Sequence, residues 1–191
     1  MAKLSSNNRL DFGSPIGEVL SSRVILHRPD RKTVVLRRGK GGLLGLVGGK
    51  IHFRESSIRA ATREVAEETG LKLSGALRLE GSLKMYDRTI WYPVSKYREL
   101  GFAFPLENCK PTDEILLWNP RAELYSGQSL TPLKDNQQVE GRDVVELNLE
   151  EENSLELVKP RHRMVLKAWR DFVTQGTPFP NVFVWKDKNS G

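Results

Sequence analysis

The 191-residue sequence predicts a layered domain of the α/β or α+β class. Three observations carry that reading. Short β-like runs fill the first fifty residues and end in a glycine-rich stretch. A helix-period segment at 56–69 follows, and then more short strands. A second helix-period segment closes the pattern at 160–175.

The elements follow in order. Glu18–His27 is rich in Val, Ile and Leu and reads as a strand, with Pro29-Asp30 marking a turn. Thr33–Arg38 is a second strand, pairing with the first in hairpin fashion. Gly39 to Gly49 holds six glycines, a stretch where backbone comes close to something. Ser56–Thr69 is a helix with Ile58, Ala61, Thr62 and Val65 as its expected buried stripe. Ser56 or Ser57 caps its start and Gly70 its end. Strands are expected at Arg78–Tyr86, Thr89–Val94, Leu100–Phe104 and Ile115–Trp118. Gly127–Gly141 reads as a surface loop and Asp143–Leu149 as a strand. Pro160–Gln175 is a helix with Val165, Ala168, Trp169, Phe172 and Val173 on its apolar face and Gly176 at its end. Val182 to Trp185 suit an edge strand, a docking segment or a homodimer contact.

Composition narrows the function classes. No stretch approaches the 18 apolar residues of a membrane span, and residues 1–13 lack the apolar core of a secretory signal. The single cysteine, Cys109, forbids an internal disulfide or a cysteine-based metal centre. It fits a reducing compartment, and a cytoplasmic location is expected. The net charge of +6 is uneven: residues 1–54 hold 11 Lys+Arg against 3 Asp+Glu, whereas 91–158 hold 6 against 13. A basic surface of this kind suits an anionic partner such as a phosphate or, less specifically, an RNA end.

The chemistry concentrates on the first helix. At about 100° per residue, Glu64, Glu67 and Glu68 share an arc of roughly 100°. Three carboxylates so spaced repel one another on a bare helix. A divalent cation reverses that repulsion, and hard oxygen donors suit Mg²⁺ or Mn²⁺. Arg63 can hold one carboxylate in a fixed rotamer, and Gly48-Gly49 lets a carbonyl approach without side chains in the way.

Gly49, Glu55, Arg63-Glu64-Val65, Glu67-Glu68 and Gly70-Leu71 together resemble the Nudix box, G-x5-E-x7-R-E-U-x-E-E-x-G-U, where U is a bulky aliphatic residue. All nine specified positions match, within residues 49–71. The resemblance implies a Nudix-type α/β/α sandwich, a mixed β-sheet between helices, over 18–175. Residues 1–17 would be an N-terminal extension and 176–191 a C-terminal tail. It implies hydrolysis of a nucleoside diphosphate linked to another moiety, such as a nucleotide sugar, ADP-ribose or a dinucleotide polyphosphate, with Mg²⁺ or Mn²⁺ as cofactor. By the same resemblance Glu64, Glu67, Glu68 and the Gly48 carbonyl are expected metal ligands. Glu64, Arg63 and Glu67 are expected catalytic residues, and Glu55 an outer support. The chain departs from many relatives in placing Val47 where they carry a proline.

A glutamate from elsewhere can serve as base; Glu107, Glu114 and Glu140 are candidates. Arg37, Arg38 and Lys50 are the expected substrate-binding cations, with Arg23, Lys40 and Arg54 in the same basic set. Neighbours on a strand point to opposite faces, so only one of Arg37 and Arg38 is expected at the site. Tyr86, Trp91, Tyr92, Phe102 and Phe104 are expected to pack in the core more than to stack on a base. His27, His52 and His162 are read as surface or packing residues. The alternative reading is a Nudix-fold module that binds nucleotide or RNA without cleaving it.

Overall fold

Alternation along two neighbouring strands builds two cores. The computed structural model describes residues 3–4, 9–11, 19–39, 41–52, 54–86, 89–93, 95, 114–118 and 121–186. On β3 (Val19–His27), Val24 and Leu26 enter one buried cluster while Ile25 enters the other. On β4 (Thr33–Arg38), Val35 joins the first cluster and Val34 and Leu36 the second. Period-two side chains therefore give the sheet two dry faces, each needing a cover.

Each face receives one helix. Ala61 and Val65 of α1 (Ser57–Thr69) complete the first cluster. Val165, Leu166 and Trp169 of α2 (Pro160–Gln175) complete the second. The result is the expected mixed sheet between helices. Trp169 is fully buried, stacks on His27 at 5.5 Å between ring centroids, and donates its indole N–H to the Arg31 carbonyl at 2.9 Å. Each fully buried aliphatic side chain contributes about 1.5–3 kcal/mol.

The remaining strands are β1 (Lys3–Leu4), β2 (Arg9–Asp11), β5 (Leu44–Leu46), β6 (Arg78–Tyr86), β7 (Thr89–Pro93), β8 (Glu114–Trp118), β9 (Arg121–Gln128), β10 (Gln138–Val139), β11 (Arg142–Asn148) and β12 (Val182–Lys186). The large sheet runs β10-β11-β4-β3-β9-β6-β12, with β5 paired to β4. A second sheet has the order β1-β2-β8-β7. β3 lies parallel to β9 and β12 parallel to β6, so the large sheet is mixed.

Two sequence expectations need adjustment, and a third narrows to one of its alternatives. Residues 127–128 finish β9 and 138–139 form β10, so the expected loop at 127–141 is shorter than its turn-forming composition implied. The residues at 182–185 are an edge strand of the large sheet, with Phe183 buried and Val182 and Val184 exposed. On α1 the buried residues are Ala60, Ala61, Val65 and Thr69, while Ile58 and Thr62 face outward. The inward face is thus rotated toward the glutamates. Lys40, Phe102, Phe104, Glu107 and Cys109 lie outside the described residues, as do the strand expected at 100–104 and the side chains of Tyr86, Trp91, Tyr92, Glu114 and Trp118.

Candidate active site

The site begins with the loop that follows β5. Val47 and Gly49 offer their carbonyls to the amides of Val24 and Ser22 on β3, each at 2.9 Å. These two bonds use the carbonyls on either side of Gly48 and not its own. Gly48 has φ of 134°, and a Cβ there would overlap the Ser22 carbonyl and sit 3.0 Å from the Arg23 Cα. Only glycine tolerates that backbone. The loop is thereby pressed against the sheet, opening space for side chains from α1.

α1 is anchored at both ends. Ser56 accepts a hydrogen bond from the Arg59 amide, and Gly70 closes the helix in the left-handed region. The Ser57 hydroxyl bonds Glu123 on β9 and lies 2.7 Å from the Tyr125 hydroxyl, which itself donates to Glu123 at 2.7 Å. Burial pushes the Tyr125 phenol up to about 12, with the Ser57 bond opposing and Glu123 adding to the rise. At the other end, the Gln137 amide donates to the Thr69 carbonyl.

Between these anchors Glu64 and Glu68 point inward, half-buried, at the glycine loop. A Cβ on Gly49 would lie within 2.6 Å of both Glu64 carboxylate oxygens. Glu68 accepts the Gly48 amide at 2.9 Å. Burial raises the Glu64 pKa above the ordinary carboxylate value; the Arg63 bond pulls it back, and the negative charges of Glu68 and Glu67 add to the rise.

Arg63 organises the outer half of the site. Its guanidinium donates to Glu55 at 2.9 and 3.0 Å, to Glu64 at 2.9 Å, to Glu67 at 2.8 Å and to the Lys50 carbonyl at 2.9 Å. Glu55 in turn accepts the His52 amide at 2.9 Å. The Arg63 hydrogen bonds to Glu55 lower the Glu55 pKa, and the same bonds raise that of Arg63. One rigid fork therefore fixes three of the box glutamates.

Arg37 and Arg38 divide as strand alternation demands. Arg37 is buried on the α1 side, where it bonds Glu68 and reaches Glu140 at 2.6 Å. Arg38 bonds Asp143 at 2.9 Å and the Gly42 carbonyl at 2.8 Å. Lys50 is exposed and contributes its carbonyl to Arg63. The structure thus brings Glu55, Arg63, Glu64, Glu67, Glu68, Gly48 and Arg37 together, and holds Arg38 away from the glutamates.

Sequence reading named Arg23 but not the cations near it. Arg161 and Lys159 at the start of α2 lie near Arg23, and Arg142 at the start of β11 lies near Lys159. They are far apart in the chain, so no local spacing announces them. His27 and His162 are buried packing residues, as expected, while His52 is exposed.

The donor chemistry fits a hard divalent cation. Carboxylates predominate, and the half-buried Glu64 is a charge that a cation would relieve. The carboxylates instead face guanidinium groups: among the described residues no three acids converge as a ready-made metal cluster.

The chain matches the NUDIX domain family over residues 18–168. A NUDIX hydrolase from Nitrosomonas europaea shares the fold with TM-score 0.52 and 12% identity, over 89% of this chain and 81% of that one. The E. coli dihydroneopterin triphosphate pyrophosphohydrolase aligns with TM-score 0.46 and 17% identity, over 81% of this chain and 96% of that one. No curated protein matches the sequence. Among the described residues, no helix is long and apolar enough to cross a membrane.

Proposed function

The chain belongs to the Nudix family, and from that premise we propose that it is a divalent-metal-dependent pyrophosphohydrolase acting on a nucleoside diphosphate linked to another moiety. The observation that carries this reading is the inward placement of Glu64 and Glu68 at the Gly48-Gly49 loop, with Arg63 bonding Glu55, Glu64 and Glu67.

Glu64, Glu67, Glu68 and the Gly48 carbonyl would hold Mg²⁺ or Mn²⁺. When bound, that ion supplies charge neutralisation at the phosphoryl oxygens and lowers the pKa of water. The protein's own groups do the rest. Glu64, half-buried and raised in pKa, takes the proton from the attacking water. Arg63 keeps the carboxylates from drifting, so little reorganisation remains when charge develops on the phosphates. Glu55 fixes Arg63 and does not touch the substrate. Glu140 accepts from Arg37 at 2.6 Å and helps hold that guanidinium beside Glu68.

The test is product release from a panel of nucleotide sugars, ADP-ribose, dinucleotide polyphosphates and nucleoside triphosphates, each with Mg²⁺ and with Mn²⁺. Cleavage of at least one anhydride, abolished by chelator, is expected. Tight nucleotide binding with no product from any substrate would establish a binding module instead.

A further inference from the structure

Two faces of α1 compete for the sheet. The apolar stripe of Ile58, Ala61, Thr62 and Val65 is centred about 90° round the helix from Ser57. Ser57, Glu64 and Glu68 make up the other face. At about 100° per residue, Glu64 falls about 20° short of two turns from Ser57, and Glu68 about 20° past three. Apolar burial alone would seat the stripe. The structure instead buries Ala60, on the far side of Ser57 from the stripe, and leaves Ile58 and Thr62 exposed. A polar contact must hold the helix turned toward its glutamates.

Ser57 makes that contact. Its hydroxyl donates to the Glu123 carboxylate and stands 2.7 Å from the Tyr125 hydroxyl, which donates to the same carboxylate at 2.7 Å. Tyr125 is 4% exposed, so its ring is fixed in the core and its hydroxyl cannot follow a turning helix. The first turn of α1 carries no acid of its own, and Glu123 brings one from β9 to the positive end of the helix dipole. Strand register ties this triad to the glycine loop. Glu123 and Tyr125 pair with Ser22 and Val24 along one edge of β3. The other edge of the same two residues receives the Gly49 and Val47 carbonyls. Two rungs of one strand therefore place both the loop and the helix that faces it.

We propose that Ser57, Glu123 and Tyr125 are positioning residues that fix the rotation of α1, keeping Glu64 and Glu68 turned to the Gly48-Gly49 loop against the pull of the apolar stripe. They act through the helix and not on the reacting groups. The rotation itself stands without the hydrolase reading; only its consequence for metal binding rests on that reading.

The experiment reads the rotation in the full chain, in chelator, by the rate of thiol labelling in a Cys109→Ser background. Ala60→Cys reports on the buried side of α1 and Thr62→Cys on the exposed side. Adding Ser57→Ala should speed labelling at position 60 about fivefold and slow it at position 62 by about as much, as the stripe turns inward. Tyr125→Phe keeps the buried ring and should shift both rates in the same directions by about twofold. Glu123→Gln retains an oxygen that accepts from both hydroxyls, so it should label as its parent does. Faster labelling at both positions in Ser57→Ala would mean fraying of the helix end, and unchanged labelling at both would mean a contact that only adds stability; either result overturns the proposal. Mn²⁺ titration then separates the two readings. Ser57→Ala should bind Mn²⁺ about fivefold more weakly than wild type. Opposite shifts at positions 60 and 62 in a chain whose wild type binds no Mn²⁺ would uphold the positioning role and sink the hydrolase reading alone.

Discussion

Gly49 and Glu64 are in contact across the glycine loop, with no room for a single methyl group between them. The obstructed atoms are the far end of a flexible side chain, so Gly49→Ala should fold and push the Glu64 carboxylate out of position. A loss of turnover of at least tenfold with a near-wild-type melting temperature is expected. Gly48→Ala differs in kind, because its Cβ meets fixed backbone and its φ is positive. It should cost about 2 kcal/mol or more in denaturant unfolding. Equal stability losses in both variants would contradict the assignment.

Arg37 marks a second distinction. The sequence suggested a substrate contact; the structure buries it between Glu68 and Glu140. Burial works against its charge, yet the two acids raise its pKa. Arg37→Gln should therefore destabilise the fold by about 1–3 kcal/mol and lower kcat while leaving KM nearly unchanged. A rise in KM alone would restore the substrate-binding role.

Acid sensitivity should begin with histidines. Burial lowers the pKa of both His27 and His162. A buried neutral ring binds protons less readily than its unfolded counterpart. Stability is thus complete above the unfolded value of 6.5 and declines as pH falls through it. Each ring contributes a slope of up to about 1.4 kcal/mol per pH unit. Asp30 and Glu55, with lowered pKa values, act only at lower pH. Urea unfolding between pH 7 and 5 should show the decline, and His27→Gln should flatten it. A flat wild-type curve would refute the histidine account.

How much was legible follows from where the information resides. The box glutamates were readable because helix geometry converts spacing into a shared face. The choice of inward face was not, since apolarity alone favours Ile58; the glycine loop instead admits Glu64 and Glu68 and leaves Ile58 42% exposed. The strand alternation that separates Arg37 from Arg38 was legible, but the partners were not: Glu140 and Asp143 arrive through the antiparallel pairing of β11 with β4. The approach of Lys159 and Arg161 to Arg23 depends on the start of α2 meeting β3, and a linear pattern carries no trace of it. The apolar run at 182–185 was legible, but not its parallel partner β6.

The most direct measurement titrates Mn²⁺ into wild-type, Glu64→Gln and Glu68→Gln proteins by electron paramagnetic resonance, alongside turnover on the best panel substrate. The account predicts that each variant binds Mn²⁺ more weakly by about tenfold or more, and loses turnover by about 100-fold or more, while still folding. Unaltered Mn²⁺ affinity and turnover in both variants would contradict it.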